Sequence, residues 1–246
     1  MTEHKQTTAW QRIKEIEGGL IVSCQASAGE PLCAPEHILA LSLSAINGGA
    51  KGLRLEGIEN IRLVREHTKV PIIGLTKSED VPAAERLRRV YITATYAEAS
   101  SLAAAGADIV ALDSTRRPRP DGSNLKDLIG RIHDQLNIPV WADIATFGEG
   151  MAAVEAGADI VSTTLYGYTE ETAAPDDEGP NMELLKELIA HLSVPVILEG
   201  RVWHPAEVTQ AFALGAHAVV VGSAITRPQL ITARFVKAIA SRPKRR

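Results

Sequence analysis

Two kinds of punctuation alternate along this chain and constrain its fold more tightly than any other feature. Gly49-Ala50, Gly106-Ala107, Gly157-Ala158 and Gly215-Ala216 each close an Ala-rich stretch of helical periodicity and stand just ahead of an apolar run. A glycine just past a helix takes up the left-handed backbone that ends it. Between these marks fall Val70-Pro71-Ile72, Ile138-Pro139-Val140 and Val194-Pro195-Val196. Proline at the start of a strand withholds no ladder donor, so each of these sites also opens a strand. With the unmarked first run, Leu20-Ile21-Val22-Ser23-Cys24-Gln25, the marks count eight strands.

The spacing predicts strands at 20–25, 52–55, 72–76, 109–113, 140–144, 160–164, 196–199 and 218–221. Helical patterns fill the gaps at 35–47, 58–67, 96–105, 125–136, 147–156, 182–192, 205–214 and 230–241. Alternating strands and helices with right-handed crossovers build a parallel sheet, and eight such units close most simply into a single (β/α)8 TIM barrel, an α/β fold. The length of 246 residues is the usual size for it. An open doubly wound sheet is the alternative, but no GxGxxG follows any strand. One domain is expected over 1–246, with an extension at 1–10 and a basic tail at 242–246 read as a solvated terminus. The irregular stretch is 78–95, where Val90-Tyr91-Ile92-Thr93 reads as a short extra strand.

Composition excludes several functions. The net charge of -4 offers no basic face for a nucleic-acid backbone. The N-terminus has no long apolar run, so neither a secretory signal nor a membrane span is expected, and the compartment is read as cytoplasmic. Cys24 and Cys33 have neither metal-ligand nor disulfide spacing, and Cys24 reads as a small core residue. Hydrophobic residues make up 45% of the chain and aromatic ones only 4%, so the core must be built from Ala, Val, Ile and Leu.

In a (β/α)8 barrel, function sits at the C-terminal ends of the strands. Those ends carry Gln25, Arg54, Lys77, Asp113, Asp143, Thr163-Thr164, Glu199 and Gly222-Ser223. The seventh and eighth strands each exit into a glycine, Gly200 and Gly222, leaving backbone N–H groups uncovered where such barrels hold a ligand's phosphate. Lys77 is a candidate base, its amine freed by desolvation and by a neighbouring cation such as Arg54; a contact for a substrate anion is its other use. Glu199 is a candidate acid, or else a plain hydroxyl ligand for a sugar. Lysine and glutamate on opposite faces of one carbon would invert a stereocentre. No His/carboxylate set lies at the exits, so no metal is expected and no cofactor is required.

The exit residues lie in segments that resemble the N-acylglucosamine-6-phosphate 2-epimerase family, also called N-acetylmannosamine-6-phosphate 2-epimerases. The resemblance is carried by Val22-Ser23-Cys24-Gln25-Ala26, Gly52-Leu53-Arg54, Ile73-Gly74-Leu75-Thr76-Lys77, Ala111-Leu112-Asp113-Ser114-Thr115 with Arg117-Pro118-Arg119-Pro120, Ala142-Asp143-Ile144, Ser162-Thr163-Thr164-Leu165-Tyr166-Gly167-Tyr168-Thr169, Glu199-Gly200-Arg201, and Gly222-Ser223-Ala224-Ile225-Thr226-Arg227. It implies interconversion of N-acetylmannosamine 6-phosphate and N-acetylglucosamine 6-phosphate in amino-sugar and sialic acid breakdown. It further implies Lys77 as proton acceptor and Glu199 as donor, Gln25, Arg54 and Asp143 holding the sugar, and Gly200, Gly222, Ser223 and Arg227 meeting the phosphate. Leu198 departs from the small residue that often precedes the glutamate. The family is often dimeric, and Ile231, Phe235 and Ile239 offer a face for a homodimer, although the same stripe would cover the barrel of a monomer. Two other functions remain open from sequence: a lyase forming a Schiff base through Lys77, and a sugar-phosphate-binding barrel without catalysis.

Overall fold

In the computed structural model, which describes residues 11–78, 81–174 and 178–240, eight parallel strands close into one barrel in sequence order. The elements run β1 (Gly19–Cys24), α1 (Pro35–Asn47), β2 (Gly52–Glu56), α2 (Ile58–His67), β3 (Ile72–Leu75), α3 (Tyr96–Ala105), β4 (Ile109–Asp113), α4 (Leu125–Leu136), β5 (Val140–Asp143), α5 (Phe147–Glu155), β6 (Ile160–Ser162), α6 (Met182–His191), β7 (Val196–Glu199), α7 (Pro205–Leu214), β8 (Ala218–Val221), α8 (Ser223–Thr226) and α9 (Pro228–Ala240). The extension at 1–10 and the tail at 242–246 lie outside the described residues.

Both punctuation marks act at the barrel's N-terminal rim. Each proline contributes its carbonyl to the ladder: Leu53 N–H donates to Pro71 O at 3.0 Å, Val110 N–H to Pro139 O at 3.1 Å, and Val161 N–H to Pro195 O at 3.0 Å. Gly49, Gly106, Gly157 and Gly215 have φ of +97°, +105°, +105° and +100°, the left-handed turn that ends each helix. Two residues on, the amides of Lys51, Asp108, Asp159 and His217 donate to Leu20, Ile72, Val140 and Val196. Asp108 and Asp159 also accept the first amides of β3 and β5, from Ile72 at 2.9 Å and Val140 at 2.8 Å.

Along each strand, alternate residues join two separate apolar layers. Ile21, Ile73, Leu75, Ile109, Ala111, Trp141, Ile160, Ile197, Ala218 and Val220 fill the barrel interior. Their neighbours Val22, Ile72, Val110, Leu112, Val140, Ala142, Val161, Leu198, Val219 and Val221 meet the helices instead. Leu198 therefore packs on the outside of the barrel, away from the interior. Cys24 is buried in that outer layer, and burial pushes its thiol up to about 11, against a hydrogen bond with Ser42. The bottom is stopped by a helical turn at 11–15, which buries Ile13 and Ile16 and whose Ile13 carbonyl bonds His217 Nε2 at 2.9 Å.

The expected ends shift by a residue or two at several elements, and three differences bear on the site. β2 runs one residue further, through Glu56, and β6 stops at Ser162, where Thr163 turns to exchange hydrogen bonds with the Glu199 backbone. The expected extra strand at 90–93 is a single antiparallel bridge between Lys77 and Ile92, flanked by Ser78 N–H to Tyr91 O at 2.7 Å and Thr93 N–H to Thr76 O at 2.9 Å. The last helix begins at Pro228 after a separate short helix, α8. Phe235 and Ile239 stand 70% and 59% exposed, so the apolar stripe of α9 does not cover its own barrel.

Gly74, on the outer face of β3, lets the strand lie against two helices: a Cβ there would fall 2.7 Å from Ala107 Cβ and 3.0 Å from Ile61 Cδ1. Because the Ala107 Cβ is fixed to the backbone, Gly74→Ala should lose about 1–3 kcal/mol of stability by overpacking, read as a lower urea midpoint at unchanged m-value.

Candidate active site

The polar residues at the strand ends occupy the layer above the apolar interior, because the period of two continues past it. Arg54 is the centre of that layer and is 1% exposed. Its two terminal nitrogens grip Asp143, with Nη1 to Oδ1 at 3.0 Å, and the same Nη1 lies 2.8 Å from Glu199 Oε2. The guanidinium also stands 5.6 Å above the Trp141 ring that floors the barrel. Thr164 Oγ1 sits between the carboxylates, 2.7 Å from Asp143 Oδ1 and 3.0 Å from Glu199 Oε2, and touches Ser162 Oγ.

This group holds one cation and two carboxyls, and Thr164 has a single hydrogen to give. With both carboxyls ionised the cluster is one negative charge in excess, in a place water barely reaches. Burial pushes the Glu199 carboxyl up to about 7; Arg54 pulls against that shift and Asp143 adds to it. A protonated Glu199 leaves a neutral cluster, and its hydroxyl can donate to Thr164 while Thr164 donates to Asp143. Asp143 is fully buried under Arg54, so the two-point grip makes it a support for the guanidinium.

Lys77 follows β3 and is held at the end of its side chain by two acceptors. Nζ donates to Gln25 Oε1 at 2.8 Å and lies 3.2 Å from Glu56 Oε2, while Gln25 Nε2 donates to Ser23 Oγ at 2.9 Å. The expected cationic neighbour is thus replaced by a carboxylate as the ion-pair partner of Lys77. Arg54 points one layer lower, where Asp143 and Glu199 occupy both of its terminal nitrogens.

Gln25, Arg54, Lys77, Glu199, Gly200, Gly222, Ser223 and Arg227 line one cavity of about 730 Å³ at the mouth of the barrel. Asp143, like the strand-end residues Asp113 and Thr163, does not line that wall. At the β7 and β8 exits, Gly200 has φ +99° and a Cβ on it would stand 3.3 Å from Thr164 O. Gly222 caps α8, whose leading amides, like those at any helix start, have no acceptor within the helix. Arg227 lies 3.5 Å from Glu30 on the loop after β1. Sequence reasoning did not single out Glu56, Tyr91, Trp203 or Arg234. The ring of Tyr91 lines the cavity between the guanidinium groups of Arg86 and Arg117, at 5.3 and 5.7 Å, and Arg234 of α9 stacks on Trp203 at 4.2 Å. Among the described residues, no group of three or more His, Cys, Asp or Glu is placed to hold a metal ion.

Comparison with known proteins places the chain in a family. The NanE family, described as "Putative N-acetylmannosamine-6-phosphate epimerase", matches residues 38–241. Relatives named "Putative N-acetylmannosamine-6-phosphate 2-epimerase" include one from Thermosynechococcus vestitus, 49% identical over 92% of this chain and 95% of the relative. Another, from Caldanaerobacter subterraneus, is 44% identical over 94% of each. The solved N-acetylmannosamine-6-phosphate 2-epimerase from Clostridium perfringens superposes with a TM-score of 0.85 at 41% identity, covering 92% of this chain and 95% of that one. The thiamine phosphate pyrophosphorylase of Pyrococcus furiosus, at 12% identity and a TM-score of 0.57, shares the fold alone. The chain belongs to the NanE family of N-acetylmannosamine-6-phosphate epimerases.

Proposed function

We propose that this protein interconverts N-acetylmannosamine 6-phosphate and N-acetylglucosamine 6-phosphate in amino-sugar and sialic acid breakdown. It would do so by removing the proton on C2 and returning one from the other face, with Lys77 as acceptor and Glu199 as donor. The observation that carries this reading is topological. Lys77 and Glu199 follow or end β3 and β7, four places apart in a closed ring of eight, and both line one cavity. A substrate carbon in that cavity meets an amine on one side and a carboxyl on the other.

The chemistry sets what else is needed. C2–H becomes acidic only beside a carbonyl, so the pyranose must open to its aldehyde before Lys77 can act, and an enolate then forms. Arg54 lines the water-poor floor of the cavity with its charge balanced by Asp143 and Glu199, and a second Nη2 hydrogen that neither carboxyl engages is the donor that meets a developing oxyanion. Gln25 and Arg54 hold the sugar, with Asp143 fixing Arg54 from behind. Gly200, Gly222, Ser223 and Arg227 take the phosphate at the β7 and β8 exits, using a helix start and close backbone approach. Binding energy from that remote phosphate positions C2 between the two side chains. The reading needs no cofactor and places the enzyme in the cytoplasm, where the free thiols of Cys24 and Cys33 stay reduced. No helix among the described residues is long and apolar enough to cross a membrane. The reading includes a homodimer through α9, whose Phe235, Val236 and Ile239 stand exposed among the described residues.

Three measurements test this. In deuterated water, the wild-type protein should convert N-acetylmannosamine 6-phosphate with deuterium entering at C2, while Lys77→Ala should lose at least 10³-fold in both conversion and exchange. Glu199→Gln should lose conversion as well; a Glu199→Gln variant that still converts at the wild-type rate would leave Lys77 serving both faces.

The second measurement is a pH profile of kcat/KM in both directions. Glu199 keeps its proton below about 7. The reaction takes up no net proton, so the ratio of the two kcat/KM values is a pH-independent equilibrium constant, and an inflection near pH 7 should appear alike in both directions and be absent from the residual activity of Glu199→Gln. Profiles flat through pH 7 in both directions would remove Glu199 from proton transfer. The third is sedimentation equilibrium, in which wild type should run as a dimer and a Phe235→Asp, Ile239→Asp double variant as a monomer.

A further inference from the structure

Glu56 has no part in the proton transfers or the binding contacts assigned above, yet it is built into the site. It is the last residue of β2, two positions beyond Arg54, and so rises on the same face of that strand one layer nearer the mouth. Its Oε2 lies 3.2 Å from Lys77 Nζ, with both side chains about three-quarters buried. The strand end that carries it is fixed on both sides: Gly57 N–H donates to Leu75 O at 2.9 Å, and Asn60 Nδ2 donates to the Glu56 carbonyl at 2.8 Å.

An ammonium or amine on a four-carbon stem has many rotamers, and a base must reach its proton within about 3–3.5 Å. Lys77 has two restraints among the described residues. Gln25 reaches it from β1, its amide turned by Ser23 so that the oxygen faces the lysine, and Glu56 reaches it from β2. The antiparallel bridge to Ile92 fixes the Lys77 backbone from the third side. Two of the three hydrogens of an ammonium are thereby engaged, and the Nζ is held between the ends of β1 and β2.

We propose that Glu56 is a positioning residue for Lys77, its carboxylate oxygen and the Gln25 amide oxygen together clamping Nζ where C2 of the substrate arrives. This rests on the epimerase reading with Lys77 as the proton-moving group. A clamp acts through where its oxygen sits, and that separates it from a role in charge or folding. Glu56→Gln keeps an acceptor oxygen at the same reach and discards the charge. Glu56→Asp keeps the charge and withdraws the oxygen by one methylene.

The experiment measures steady-state kinetics and C2 exchange in deuterated water for wild type, Glu56→Ala, Glu56→Gln and Glu56→Asp, alongside thermal melting. Misplacement of a reacting group by about 1 Å can lower a rate about 100-fold. Glu56→Ala and Glu56→Asp should therefore lose kcat by about 10- to 100-fold with KM within about threefold of wild type, while Glu56→Gln should return to within about fivefold of wild-type kcat. Rescue by Asp in place of Gln, a loss confined to KM, or wild-type kcat in Glu56→Ala would each overturn the proposal. If Glu56→Ala fails to fold, the Gln and Asp variants decide the matter by the same comparison. Wild-type protein that neither converts the sugar nor exchanges its C2 proton would instead sink the epimerase reading itself.

Discussion

The active end of this barrel depends on one buried guanidinium. Arg54 enters the interior from β2 with almost no access to water, and an unpaired cation there would cost far more than the fold could offset. Asp143 from β5 meets it at two points and Glu199 from β7 at one, so the ion pairs reach across the barrel where strand pairing cannot. Thr164, just past β6, links the two carboxyls. One cation meets two acids here, and burial pushes the Glu199 carboxyl up to about 7, with Arg54 opposing the shift and Asp143 adding to it.

Closure of the sheet converts this local chemistry into a site. In an open sheet β3 and β7 would be far apart on one edge-to-edge surface; in a ring of eight they face each other across the mouth. The period of two then stacks function in layers, with Trp141 as floor, Arg54 above it, and Glu56 with Lys77 above that. Each layer is held by strands whose outer faces carry Val, Ile, Leu, Ala and Gly, with Cys24 of β1, against the helices. Division of labour between the two faces explains why Leu198 can be large without disturbing its neighbour Glu199, since the two side chains point into different layers.

Most of the fold was legible because its signals are local. The Gly-Ala and X-Pro marks report backbone conformation and donor placement within two residues, and each resolves into an observed hydrogen bond or a left-handed φ. The strand-end residues Gln25, Arg54, Lys77, Asp143 and Glu199 were likewise readable from position. Which of them would meet was not. Arg54 and Asp143 are 89 residues apart, and their pairing follows from barrel closure and side-chain length, neither of which any short stretch encodes. Lys77 was expected beside a cation and has a carboxylate instead, because Arg54 is drawn down to the two acids below it. Glu56 went unnoticed for a smaller reason: the strand was expected to stop at residue 55, which makes the next residue a loop residue, and in a strand one position decides the face.

The unequal charge of the cluster also couples the two ends of the proposed substrate. A phosphate held at Gly200 and Gly222 brings negative charge to the exit of the same strand that ends in Glu199. Nearby anions disfavour an ionised carboxyl, and the field is screened least where water is excluded. Arg227 offsets part of this charge, but Glu30 already engages it at 3.5 Å, and the charge of Arg54 is already met by Asp143 and Glu199. Under the proposed function, a phosphate bound at these exits would therefore strengthen the hold of Glu199 on its proton, so the part of the sugar that does not react would favour the protonated form of the proposed donor.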